Sequence, residues 1–325
     1  MSNILFLPTI VFLLVITATI LFEKWLIPTL SSRASQPIYK DGPSWHLSKQ
    51  GTPTMGGLAF LFSISIVLAA TSVYLINTEN KSTGISIIIS LIFCLANGLI
   101  GVIDDFTKLK RKENAGLTPA QKLIFQLIFA ILFLMARKHL LNDTTIIEFP
   151  FFRIDIGVLY YPLAIILLLG IINCANLTDG IDGLASSVAL TIGAVFLFIG
   201  SSDESSVMSA ALIGGALGFL LFNVHPAKIF MGDTGSLFLG AMSVSLAFSN
   251  GNPLIIIFLG GIYVIEGLSV IIQVAFFKAT GKRIFKMAPL HHHLEKCGIG
   301  ESRICVIAVF VTLVLSAFAI LLLEK

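Results

Sequence analysis

The chain has 325 residues, of which 56% are hydrophobic and only 12% charged, and its mean hydropathy is +0.96. Soluble domains carry roughly 25% charged residues, so this composition cannot cover a water-facing surface of this size. It excludes an ordinary soluble protein and marks an all-α integral membrane protein. Cys94, Cys174, Cys297 and Cys305 show neither metal nor redox spacing and imply no disulfide framework. The first apolar run begins at Ile4 with no basic residue before it, so it reads as a membrane helix and not as a cleavable leader.

A spanning helix needs about 20 mostly apolar residues, and a chain in hydrocarbon must satisfy its backbone internally, which favours helices. In chain order the runs are 4–22, 55–76, 85–103, 123–136, 158–175, 183–200, 207–222, 235–249, 253–277 and 304–323. The expectation is ten transmembrane helices in a single polytopic domain over 1–325, without repeats. The fourth, seventh and eighth runs are short and are expected to borrow residues from their flanks. Residues 137–157, containing "TTIIEFPFFRIDIG", are expected to form a short external hairpin.

Orientation follows from the 21 Lys and Arg residues. Sixteen follow odd-numbered runs, among them Arg33, Lys40, Lys110, Lys112, Lys282 and Arg283; the other five are Lys81, Arg137, Lys138, Arg153 and Lys325. By the positive-inside rule the first set is cytoplasmic, so both termini lie on the periplasmic or extracellular side.

Five polar stretches interrupt the apolar pattern: "GTPTMGG" (51–57), "DDFTK" (104–108), "NCANLTDGIDG" (173–183), "NVHPAKIFMGDTGS" (223–236) and "APLHHHLEKCG" (288–298). All follow odd-numbered runs and share one face, which predicts one composite active site at the cytoplasmic surface. Asp104, Asp105, Asp179, Asp182 and Asp233 gather there. An Asp beside Gly at a helix end is often only a cap or turn residue. Five together would repel one another without a cation, and oxygen ligands suit Mg2+.

Asn173, Asn176, Asp179 and Asp182 recur every third residue, and Gly180 and Gly183 are expected to break the helix so that the stretch lines a wet cavity. In "FMGDTGS", Asp233 faces a metal while the following helix N-terminus suits anionic oxygen. Phe230 is placed to stack on a base or to dip into the interface, and Asn223 to read a heterocycle edge or cap a helix. His291, His292 and His293 point in three directions on a helix, which suits hydrogen bonds to phosphates or acids better than zinc. Lys49, Lys108 and Lys122 can neutralise a diphosphate. Glu266, inside the ninth run with no basic partner near in sequence, stays unassigned. Together these residues indicate phosphoryl transfer onto a lipid, with one carboxylate of Asp104 and Asp105 as base or nucleophile.

These motifs resemble the polyprenyl-phosphate N-acetylhexosamine-1-phosphate transferase superfamily along essentially the whole chain: the Asp104–Asp105 pair, "NLTDGIDG" and "GDTGS". "GTPTMGG" and "PLHHH" point within it to the phospho-N-acetylmuramoyl-pentapeptide transferase (bacterial translocase I) branch. The resemblance implies transfer of phospho-N-acetylmuramoyl-pentapeptide from its UDP conjugate to undecaprenyl phosphate. The products would be lipid I and UMP, in peptidoglycan synthesis. It also implies Mg2+, the cell membrane, a homodimer, no nucleic-acid partner and inhibition by uridine-containing antibiotics. By motif, Asp233 holds the metal, and Asp182, Phe230 and Lys108 hold uridine. Asn176, Asp179, Lys122 and His292 complete the catalytic surface, and Lys49 and Thr54 flank substrate entry. Asn173, Asn223, His291 and His293 join the substrate contacts. Direct attack by the lipid phosphate and a two-step route through an aspartyl intermediate both fit. The direct route is preferred because nothing here demands the extra bond. A polyprenyl-phosphate N-acetylglucosamine-1-phosphate transferase is the near alternative, expected to lack "HHH" and "GTPTMGG". A transporter is the distant one, disfavoured because the polar breaks lie at one face and not at midplane.

Overall fold

The computed structural model describes residues 6–31, 49, 51–78, 80–111, 116–149, 152–200 and 202–323. Arg33, Lys40, Lys112 and Lys325, which entered the charge count, and Ile4 of the first run lie outside these residues. Among the described residues, each of the ten apolar runs overlaps helical structure. The main helices are α1 (Phe6–Ser31), α2 (Gly57–Ile76), α3 (Lys81–Arg111), α4 (Pro119–Ala136), α5 (Tyr160–Thr178), α6 (Leu184–Ile199), α7 (Asp203–Asn223) and α8 (Gly232–Ser249). They are followed by α9 (Ile256–Leu259), α10 (Gly261–Thr280), α11 (Leu290–Lys296) and α12 (Glu301–Leu323). Among the described residues, eight helices are long and apolar enough to cross a membrane.

The difference from ten has a physical cause. α6 is only 16 residues long, and α8 carries too many serines and glycines to be strongly apolar. Yet every residue of α8 from Thr234 to Ser249 is buried, packed between α3, α5 and α7. A helix enclosed by protein on all sides has no need of a lipid-soluble surface. Its hydroxyls bond back to the helix, as Ser243 Oγ does to Leu239 O.

The three short runs do borrow from their flanks: α4 begins at Pro119, α7 at Asp203 and α8 at Gly232. Thr118 caps α4 through a reciprocal pair with Gln121, and Ser202 caps α7. The run at 253–277 is interrupted: a 3-10 turn and α9 end at Gly260, and α10 starts afresh at Gly261. The predicted hairpin is present as antiparallel Ile146–Phe149 and Phe152–Asp155, here β1 and β2. A π-turn at Arg137–Leu141 ends α4 ahead of it.

α3 differs most from its predicted span. At 1.5 Å per residue its 31 residues extend about 46 Å, well beyond a hydrocarbon core of about 30 Å. "DDFTKLKR" contains no glycine or proline, and Lys108, Lys110 and Arg111 in the last turn favour the helix C-terminus. Asp104, Asp105 and Lys108 therefore sit on the helix, not in a loop after it.

Candidate active site

A cavity of about 1160 Å³ opens at the joint ends of α3, α4, α5 and α8. Twelve of the sixteen side chains singled out by sequence line it: Lys49, Thr54, Asp104, Lys108, Lys122, Asn173, Asn176, Asp179, Asp182, Asn223, Phe230 and Asp233. Asp105 and His291, His292 and His293 do not.

Two backbone junctions build the cavity. "GTPTMGG" pairs with the strand-like turn before α8: Phe230 N donates to Pro53 O (2.8 Å), Gly56 N to Phe230 O (2.9 Å) and Gly57 N to Met231 O (3.0 Å). This fixes Thr54, whose Oγ1 is buried without a hydrogen-bond partner. It also places Phe230 on the cavity wall. The second junction is the turn after α5. The helix continues through Asn173 and Asn176 to Thr178, and Gly183 at φ +81° lets α6 begin. The break predicted at the two glycines is thus a turn between helices. A Cβ at Gly180 would collide with His291 Nε2, so that turn packs directly on the histidine segment.

The acids divide into two groups. In the first, Asp104, Asp105 and Asp233 bring carboxylate oxygens within 4.8 Å of one another. Lys108 Nζ lies 2.7 Å from Asp104 Oδ2 and 3.2 Å from Asp233 Oδ1. Lys122 Nζ lies 3.0 Å from Asp104 Oδ2 and 2.5 Å from Asp233 Oδ2. Asp105 behaves differently. Its oxygens accept from Asp233 N (3.1 Å), Thr234 N (2.9 Å) and Thr234 Oγ1 (2.7 Å), which caps the N-terminus of α8. Gly232, at φ +73°, has no side chain to intrude; a Cβ there would sit 2.5 Å from Asp105 Oδ2.

In the second group Lys49 Nζ binds Asp182 Oδ1 (2.8 Å) and Glu301 Oε2 (2.7 Å). His225 Nδ1 lies 2.9 Å from Asp182 Oδ2. Lys49, read from sequence as a neutraliser of diphosphate, is thus held by two carboxylates of the protein. Asp179, half-buried, lies on the wall between the groups. Burial, then the charges of Asp233, Asp105 and Asp182, push its carboxyl well above the usual 3.8. It keeps its proton to higher pH than an ordinary aspartate.

Other predicted residues are bracing parts of the wall. Asn223 Oδ1 accepts from Gly183 N (3.0 Å) and Ser186 Oγ (3.3 Å), while its Nδ2 donates to Ile229 O (2.9 Å). These bonds match the capping role expected of it, and the residue also lines the cavity. Asn173 Nδ2 donates to Gln126 Oε1 and Leu169 O, and Asn176 Nδ2 to Ser236 Oγ.

The three histidines do not all diverge as expected: the rings of His291 and His292 lie against each other, with centroids 4.2 Å apart. His291 is buried; its N–H and Nδ1 both face Glu266, with Nδ1 3.2 Å from Oε2. Glu266 therefore has a partner 25 residues downstream, beyond the reach of a local sequence reading. His292 Nδ1 lies 2.6 Å from Glu295 Oε2, and His293 Nδ1 accepts from Lys286 N. Sequence reasoning missed Glu301 and His225. His225 stood inside a quoted motif, and Glu301 had only its place in the first turn of α12.

The donor set of Asp104, Asp105 and Asp233 is all carboxylate oxygen. Three carboxylates face two ammonium groups, which leaves one negative charge unmatched. Asp104 Oδ2 and the oxygens of Asp233 face the cavity lysines, Asp104 Oδ1 accepts from Leu117 N, and the oxygens of Asp105 are taken by α8. Hard oxygens with residual negative charge fit a hard divalent cation.

Residues 87–250 match the model of glycosyl transferase family 4, and residues 49–61 match phospho-N-acetylmuramoyl-pentapeptide-transferase signature 1. That signature covers Lys49, Thr54 and the first turn of α2. The chain is 44% identical over 293 residues to the phospho-N-acetylmuramoyl-pentapeptide-transferase of Clostridium botulinum (strain Alaska E43 / Type E3), covering 89% of this chain and 88% of the relative. To that of Clostridioides difficile (strain 630) it is 42% identical over 320 residues, covering 96% and 95%. The corresponding protein of Halalkalibacterium halodurans is 42% identical over 309 residues, covering 94% of each.

Proposed function

The chain belongs to the phospho-N-acetylmuramoyl-pentapeptide-transferase family, and from that membership we propose how its cavity works. The protein transfers phospho-N-acetylmuramoyl-pentapeptide from its UDP conjugate to undecaprenyl phosphate in the bacterial cell membrane, releasing UMP. Its ten helical runs span the bilayer, with both termini outside and the cavity on the cytoplasmic side. The pairing of Lys108 and Lys122 with Asp104 and Asp233 at the cavity carries this reading.

Asp233, with Asp104 beside it, holds Mg2+. The ion supplies charge neutralisation to the diphosphate when bound. Lys108 and Lys122 supply further positive charge at the same place, and Thr54 offers an unpaired hydroxyl to a phosphate oxygen. Asp104 is the base. One of its oxygens is fixed by Leu117 N at 2.7 Å, and the other faces the cavity lysines. It takes the proton of the lipid phosphate, whose oxygen then attacks the sugar-linked phosphorus of the UDP conjugate. A new P–O bond forms, and the bond to UMP breaks with its electron pair on UMP. Asp105, with three donors on its carboxylate, is needed to hold α8 against α3 and is poorly disposed to act as a nucleophile. Asp182, Lys49, Phe230 and Asn223 form the nucleotide end, and the protein acts as a homodimer.

The test is release of UMP by the purified protein in detergent with undecaprenyl phosphate and Mg2+. Release from UDP-N-acetylmuramoyl-pentapeptide and not from UDP-N-acetylglucosamine is expected. The opposite preference would overturn the substrate assignment while sparing the chemistry.

A further inference from the structure

Glu301, the first residue of α12, is 9% exposed and does not line the cavity. Its carboxylate nonetheless reaches two groups that do. Oε2 accepts from Lys49 Nζ (2.7 Å) and from the backbone N–H of Asp182 (2.8 Å). Oε1 lies 3.6 Å from His225 Nδ1. On the opposite side, Asp182 Oδ1 accepts from the same ammonium (2.8 Å) and Oδ2 from Ala227 N (3.1 Å).

Asp182, His225 and Glu301 offer ligand atoms within 4.8 Å of one another, a spacing that alone would point to a metal. Here Lys49 Nζ bridges the two carboxylates, and the third member, His225, is half-exposed and turned to the same acids. The cluster is an internal clamp.

Lys49 and Asp182 come from segments 133 residues apart. The Asp182 carboxylate meets the ammonium from one side only. Without a second carboxylate the long lysine side chain would keep its rotamer freedom, and Asp182 N–H would lose its acceptor.

We infer that Glu301 is a positioning residue for the nucleotide half of the substrate, setting Lys49 and Asp182 at the cavity wall without touching substrate itself. The inference rests on the reading above that Asp182 and Lys49 meet the UDP conjugate. His225, half-exposed, supports the same carboxylate from the loop before α8.

The experiment uses the full-length protein in detergent, varying UDP-N-acetylmuramoyl-pentapeptide and undecaprenyl phosphate separately. Glu301→Gln keeps the shape and removes the charge. The expected result is a rise of about tenfold in KM for the UDP conjugate, with kcat and KM for the lipid within about twofold. His225→Gln moves the same constant by about threefold, and it decides the matter if Glu301→Gln does not fold. Adding Glu301→Gln to Asp182→Asn should change KM by less than about twofold further, because both act through one contact.

A Glu301→Gln protein that loses kcat and both affinities together, or loses thermal stability with KM unchanged, overturns the inference in favour of a structural role. If Asp182→Asn raises KM while Glu301→Gln and His225→Gln are silent, only the inference falls. If Asp182→Asn is itself silent, the nucleotide reading fails and the inference with it.

Discussion

α3 and α8 run antiparallel and carry a polar network at each end, and the two networks differ in kind. At one end Arg137 directs Nε to Asp143 (2.5 Å), Nη1 to Glu204 (3.3 Å) and Nη2 to Phe248 O (3.2 Å). Ser86 and Ser90 complete Glu204 from α3. Arg137 and Glu204 are buried and line no part of the active-site cavity. At the other end Asp104 and Asp233 share two lysines at the wall of that cavity. A guanidinium fork fixes three acceptors in one geometry, whereas an ammonium on a flexible stem can be re-partnered. The closed network locks helices, and the open one is built to exchange partners with an incoming phosphate.

Substitutions at the two ends should therefore separate activity from stability. Asp233→Asn is expected to lower kcat by on the order of 10⁴-fold, about 5 kcal/mol of transition-state stabilisation, with little change in melting temperature. Equal losses in both would erase the distinction. Arg137→Met should do the reverse. Leaving Glu204 buried without its cation costs roughly 3–5 kcal/mol of stability, read by thermal unfolding in detergent, while the surviving folded protein keeps its kcat.

Thr118→Ala sits between these extremes. It removes the cap of α4 and costs about 1 kcal/mol. Because Lys122 lies in the first turn of that helix, a several-fold loss of activity should accompany it. Stability loss without any kinetic effect would mean that Lys122 does not depend on the cap. Arg153→Ala should be the smallest, within about 0.5 kcal/mol and silent in activity. Its pairing with Glu148 is 3.9 Å long, and both side chains are 65% exposed.

The polar interruptions were legible because a carboxylate or a glycine stands out against apolar sequence. Asp104, Asp233 and Asp179 were found that way, and all three line the cavity. Asp105 was paired with Asp104 as an equal, but adjacent helical residues point about 100° apart. One faces the cavity lysines, and the other turns to the end of α8. Glu266 looked unpartnered because its partner, His291, reaches it only after the chain has left α10 and turned back.

What the sequence alone determined was chemistry averaged over short distances: membrane-embedded helices from composition, run positions from hydropathy, and a polar face from the grouping of motifs. It could not determine which helices are sheathed by protein instead of lipid, since α8 and a lipid-facing helix obey different surface requirements. Nor could it pair ions across the chain. Lys49, Asp182 and Glu301 are joined over separations of 133 and 252 residues, and Coulomb attraction depends on spatial distance. Tertiary packing alone brought those charges within 3 Å.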